Sequence, residues 1–194
     1  MDVFGEVRMQ KHLLFIHGGG ADAYEADQPL AASLQAALGS DYDVSYPRMP
    51  HPDQPSYAAW KDTIIQHIGA TEGEICLVGH SFGASILLKI LTEVTVPRLP
   101  SGVFLVATPF WGAADWEVDE YALRDDFAAS LLEGLPIFLY HSRDDDVVPF
   151  DHLSLYANQF PQATLREFDG RGHQFNDDLA DVAADIRDLG FSNY

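Results

Sequence analysis

Four short apolar runs, rich in branched and aromatic side chains, punctuate the chain at Leu13 to Ile16, Ile75 to Val78, Val103 to Ala107 and Ile137 to Tyr140. Runs of this length without polar alternation predict strands buried on both faces of a parallel sheet. Two weaker segments, Asp43 to Tyr46 and Thr164 to Phe168, bring the set to six. Helical spacing separates successive members, so the expected architecture is α/β. It is a doubly wound, mainly parallel six-stranded sheet with right-handed crossovers and helices on both faces.

The intervening segments show their faces. Leu30, Leu34 and Leu38 recur every fourth residue after Pro29, and Gly39 supplies a stop. Ser56 is a candidate N-cap for a helix reaching Gly69, whose apolar stripe is Tyr57, Trp60, Ile64 and Ile68. Beyond Ser81, the residues Ile86, Leu87, Leu88, Ile90 and Leu91 surround their helix, which predicts burial against the sheet. A last helix sets Phe175, Leu179, Val182, Ile186 and Leu189 on one face, with acids opposite. Between Thr108 and Gly134 the period loosens, and Phe110, Trp111, Trp116, Tyr121 and Phe127 lie among acids. Residues 108–134 are therefore expected to form a short excursion above the sheet, inside a single domain spanning residues 1–194.

Composition narrows the function classes. A chain of 194 residues, 47% hydrophobic, can bury a core without disulfides or metals. The single cysteine, Cys76, lies between Ile75 and Leu77 and reads as a small buried hydrophobe. With 30 acids against 11 bases the formal charge is −19, a field that repels phosphate backbones and anionic headgroups. Nucleic acid is thus an unfavourable partner. Integral membrane association is not expected either, because the richest apolar stretch, Ile86 to Leu91, is interrupted by Lys89. The stretch from Met1 to His12 lacks the layout of a secretory signal, so the expected location is cytoplasmic.

The chemistry concentrates at Gly79-His80-Ser81-Phe82-Gly83, a G-x-S-x-G match placed directly after a predicted strand and before a predicted helix. A serine on such a turn presents its hydroxyl outwards, and the helix N-terminus aims backbone N–H groups at nearby negative charge. Gly79 and Gly83 suit a turn where strand and helix crowd each other. Without this setting, the His17-Gly18-Gly19-Gly20 segment after the first strand would read as a plain tight turn.

From the first strand to the last helix the chain resembles the α/β-hydrolase family in a minimal form, similar to the small cap-free YdeN-like serine hydrolases. The resemblance implies a sheet order of 2-1-3-4-5-6. It likens His17 to Gly20 to the HGGG-type loop and implies oxyanion donors at Phe82 and at Gly19 or Gly20. It likens His141-Ser142-Arg143-Asp144-Asp145-Asp146-Val147-Val148-Pro149 to the family's acid loop. That register selects Asp145, although Ser142 stands where the family has glycine and two flanking aspartates blur the choice. An acidic turn or weak cation site including Asp151 is the competing reading of this cluster. Asp169-Gly170-Arg171-Gly172-His173 delivers the histidine, completing the order Ser, Asp, His. The other histidines, His12, His17, His51, His67, His80, His141 and His152, lack that combination and read mainly as surface or packing residues.

The implied activity is hydrolysis of a small acyl substrate through Ser81, His173 and Asp145, with no cofactor and no metal. Ester is the default; amide and thioester stay open. Two other classes compete: a binding protein that keeps the scaffold, and a lyase using the same triad. Phe110, Trp111 and Trp116 are candidates for the substrate pocket, with core packing as the alternative.

Overall fold

In the computed structural model, which describes residues 11–131 and 133–190, six strands join into one sheet in the order β2-β1-β3-β4-β5-β6. Every pairing is parallel. The part of the N-terminal stretch that precedes residue 11 lies outside the described residues. The four apolar runs become β1 (Lys11–Ile16), β3 (Ile75–His80), β4 (Gly102–Val106) and β5 (Ile137–Ser142). The weaker segments become the edges, β2 (Tyr42–Ser45) and β6 (Thr164–Phe168), where exposed residues such as Arg166 and Glu167 dilute the apolar signal. β3 and β5 each run two residues past their apolar runs, through Gly79-His80 and His141-Ser142, and these polar ends are buried.

Strand residues divide by parity between two cores. Leu13, Phe15, Cys76 and Val78 face α1 (Ala23–Leu38) and α6 (Ala180–Asp188). Leu14, Ile16 and Leu77 face the other side, where α2 (Tyr57–Ala70), α3 (Phe82–Glu93) and α5 (Asp151–Gln159) pack. Burial pushes the Cys76 thiol up to about 12, as fits a packing residue. The chain winds one way from β1 to β2 and the other way from β3 onwards. Ligand crevices form at such switch points, beyond the carboxyl ends of the strands. Here the switch point lies between β1 and β3.

Three details depart from the periodic reading. α1 starts at Ala23, so Pro29 sits inside it. Pro29 and Glu25 are both exposed, so the carbonyl that loses its donor faces water. Ser56 occupies the N-cap position of α2 but makes no side-chain cap; the Tyr57 amide donates instead to the Glu120 carboxylate at 2.8 Å. The last helix is broken: Phe175, Asn176 and Asp177 take φ of 50°, 52° and 56° before α6 begins. The apolar face survives because Phe175 and Leu179 join the same core as Val182 and Ile186.

The described residues of 108–134 are mostly turns around a single helical turn, α4 (Phe127–Ser130), and pack on the α2–α3 side through Tyr121 O–H to Pro55 O (2.7 Å) and Lys89 Nζ to Ala122 O (2.5 Å). Among the described residues no helix is long and apolar enough to cross a membrane.

Candidate active site

Ser81 separates β3 from α3 with φ 51° and ψ −124°, a conformation that non-glycine residues rarely adopt and that costs on the order of 1–3 kcal/mol. Its amide is anchored to Val106 O at 2.8 Å, and the amides of Ala84 and Ser85 turn back to Ser81 O. The flanking glycines are required by contact. A Cβ on Gly79 would lie 2.6 Å from Ala84 Cα, and one on Gly83 would lie 2.3 Å from His17 O. Both obstacles are backbone, which cannot swing aside. Gly83→Ala is therefore expected to destabilise the fold by about 1–3 kcal/mol, read as a lower midpoint in urea with unchanged m.

Beside this turn lies the loop after β1. His17 is buried, donates from Nδ1 to Gly18 O at 2.7 Å and accepts at Nε2 from the Met49 amide at 2.9 Å. Those two bonds select the neutral ring, and burial lowers its pKa accordingly. The Gly18 amide donates to Asp27 at 2.7 Å and the Gly20 amide to Pro52 O at 2.7 Å. The Gly20 amide is thereby committed elsewhere. Among the described residues, the amides of Gly19 and Phe82 donate to no protein acceptor. The two residues lie close together: a Cβ added to Gly19 would come 3.2 Å from Phe82 Cγ.

The loops after β5 and β6 bring an acid to a histidine. Asp145 has no exposed side-chain surface, and its two oxygens lie 3.0 and 2.9 Å from His173 Nδ1. It also accepts from the amides of Val147 (2.9 Å) and Val148 (2.8 Å), with His141 Nε2 3.3 Å away. Burial by itself would raise the Asp145 pKa; the contacts from His141 and His173 outweigh it and hold the carboxyl far below the usual range. Asp144 points elsewhere, accepting from Ser142 Oγ at 2.5 Å and the Gly172 amide at 3.2 Å. Ser142, the departure from the family's glycine, also accepts from the Arg171 amide at 3.0 Å and so stitches the two loops together. Asp146 is exposed.

His173 donates its Nδ1 proton to Asp145, which leaves the Nε2 lone pair available. No hydrogen bond joins Ser81 Oγ to that ring among the described residues; such contacts often tighten only when substrate binds. The serine and histidine segments meet through a neighbour, His80, whose Nε2 lies 3.0 Å from His173 O.

A sequence model of the family described as serine hydrolase matches residues 30–178, well over half the chain. The chain belongs to this serine hydrolase family. It is 27% identical over 177 residues to YdeN of Bacillus subtilis (strain 168), covering 88% of this chain and 89% of YdeN. The crystal structure of the B. subtilis ydeN gene product superposes with a TM-score of 0.71 at 22% identity, covering 93% of this chain and 98% of that one. Est1E from Butyrivibrio proteoclasticus, solved with ferulic acid bound, gives a TM-score of 0.71 at 12% identity over 95% and 89% of the two chains. A serine hydrolase of carbazole degradation, CarC, gives 0.69 at 14% identity over 93% and 90%. These likenesses establish the α/β-hydrolase fold.

In this serine hydrolase the three aromatic pocket candidates separate. Phe110 packs on Tyr156 with centroids 4.9 Å apart, its amide is held by His152 Nδ1 at 2.9 Å, and like Trp111 it lies partly buried against the core. Trp111 is half-buried, donates to Ser85 Oγ in the first turn of α3 (2.8 Å) and meets Phe82 edge-on at 6.0 Å. Trp116 is half-buried against Trp111 and His152, 5.2 Å from each. A cavity of about 360 Å³ opens nearby, lined by Pro50, His51, Asp53, Gln54, Ser56 and Ala59, and includes none of the three. Arg143 and Arg171, the bases on the acid and histidine loops, are matched by Glu167 and Asp169 and by Asp178 and Asp181 respectively.

The sequence places His80 in the serine elbow without a partner, and it does not single out His141 or Asp27, which the fold wires into the site. His141, which reads as a surface or packing residue, contacts Asp145 and donates to Val148 O at 2.9 Å. His80 and Asp27, each about 2% exposed, form a pair at 2.8 Å. No local signal marks Asp27, because its partner is 53 residues away.

Proposed function

We propose that this serine hydrolase cleaves carboxylic esters of small acyl substrates through a covalent intermediate on Ser81. The observation that carries this reading is the His173–Asp145 contact beside a strained serine elbow, with two amides, those of Gly19 and Phe82, that have no acceptor among the described residues. As Ser81 Oγ attacks the carbonyl carbon, His173 Nε2 takes its proton, and the carbonyl π pair moves onto oxygen. The Gly19 and Phe82 amides stabilise that oxyanion. Collapse of the intermediate expels the alcohol, which receives the proton from His173. Water, deprotonated by the same nitrogen, then releases the acid and restores Ser81. Asp145 keeps the imidazole in the required tautomer and stabilises its cation.

Ester is favoured over peptide because the excursion at residues 108–134 is short. The −19 charge, with the nearby arginines already paired, favours neutral over anionic substrates. A fluorophosphonate should label Ser81 and no other serine, because only an activated hydroxyl facing oxyanion donors reacts readily. Intact mass and peptide mapping read the adduct. A folded protein that stays unlabelled where a control serine hydrolase reacts would turn the assignment towards a binding protein.

A further inference from the structure

We propose that the buried Asp27–His80 ion pair is the positioning element of the site, tying the oxyanion loop, the serine elbow and the histidine loop into one rigid unit. The positioning role rests on the assignment of Ser81, His173 and Asp145 made above; the existence of the charged pair does not.

Hydrogen-bond arithmetic carries the pair. His80 Nδ1 lies 2.8 Å from Asp27 Oδ2, and His80 Nε2 lies 3.0 Å from the carbonyl of His173. Both partners are acceptors, whereas a neutral imidazole has one N–H and one lone pair. Only the imidazolium satisfies both, and with 2% exposure no water is at hand to mend a mismatch. Asp27 for its part accepts three N–H groups: the His80 ring and the Gly18 amide at Oδ2, the latter at 2.7 Å, and Gln174 Nε2 at Oδ1 (3.1 Å). Three donors around one carboxylate favour its ionised form.

The wiring reaches each part of the proposed chemistry. Gly18 precedes the Gly19 amide, His80 precedes Ser81, and the remaining bonds land on His173 and its neighbour Gln174. Besides Asp27 on α1, the ionisable groups facing His80 are His173 from the loop after β6, with ring centroids 4.8 Å apart, and Asp145 from the loop after β5. Behind Asp27 stand His17 after β1 and Tyr46 after β2. Burial opposes the charge on His80, but the Asp27 carboxylate, the His173 carbonyl and Asp145 outweigh it and raise its pKa. Burial likewise opposes the charge on Asp27, and the His80 cation with the Gly18 and Gln174 donors keeps its pKa low. With His80 raised and Asp27 lowered, each shift widens the pH range over which the pair is charged. It is lost when pH climbs through the His80 value or falls through that of Asp27.

The test pairs a spectroscopic readout with a kinetic one. In ¹⁵N-labelled wild-type protein at pH 8, where free imidazole is neutral, His80 should show two protonated ring nitrogens, assigned by their loss in His80→Gln. In Asp27→Asn only one should remain. For a nitrophenyl ester, Asp27→Asn should lower kcat on the order of 10²-fold with KM within about twofold, since displacing reacting groups by about 1 Å costs that much while leaving the pocket intact. The fluorophosphonate labelling rate should fall in step, and His80→Gln should behave alike. A neutral His80 ring in the wild type overturns the proposal, as does Asp27→Asn with undiminished kcat. Should both variants fail to fold, wild-type labelling across pH decides: a rate unchanged through the pH where His80 loses its proton overturns it. Absence of any labelling of Ser81 would instead sink the triad assignment, and the ring-nitrogen spectrum would still report the pair.

Discussion

His173→Ala is expected to lower kcat for a nitrophenyl ester on the order of 10⁶-fold, close to the loss for Ser81→Ala, with the double variant no worse than either. The reason is mechanical coupling of the two groups. A serine hydroxyl is a feeble nucleophile unless its proton has a destination, and Nε2 of His173 is the lone pair left once Nδ1 is committed to Asp145. The residual rate should reflect the Gly19 and Phe82 amides and substrate binding, which neither variant touches. Stopped-flow and steady-state measurement of nitrophenol release checks this directly. Strictly additive losses in the double variant would show that serine and histidine do not act as a unit.

Asp145→Asn should cost on the order of 10⁴ in kcat, because an amide in that place no longer enforces the productive tautomer or stabilises the imidazolium. Its neighbours provide the control. Asp144→Asn removes charge from an oxygen that accepts from Ser142 and Gly172, so its effect should be mild and transmitted through the loop. Asp146→Asn, at an exposed position, should be nearly silent. A crippled Asp144 or Asp146 variant beside an active Asp145 variant would reassign the acid. Since the folded Asp145 pKa is depressed, the stability it contributes is present above about pH 4 and lost as pH falls through the folded value. Loss of activity between pH 5 and 6 would therefore not arise from protonation of Asp145.

Much of this architecture was legible from the chain. Apolar runs depend on neighbours two, three and four residues away, and that locality is why the four central strands, the buried α3 and the strand-Ser81-helix turn read correctly. The parallel order of the sheet was available only through resemblance, since no spacing in the chain encodes which strands lie side by side. Local reading failed where a distant group replaced a local one. Glu120 caps α2 in place of Ser56. Left-handed residues from Phe175 to Asp177 interrupt a helix whose apolar period continues unbroken, because periodicity counts which side chains face the core and is blind to backbone hand.

The sequence by itself determined the α/β class, the serine elbow and the order in which serine, aspartate and histidine arrive along the chain. Tertiary structure decided their partners. It committed the Gly20 amide to Pro52 and left that of Gly19 without an acceptor among the described residues, and it directed Asp145, rather than Asp144 or Asp146, to His173. It also set His80 between Asp27, 53 residues away, and His173, 93 residues away. The physical reason is that a hydrogen bond needs atoms within about 3 Å, and parallel strands bring the ends of distant segments to one edge, where chain separation no longer measures distance.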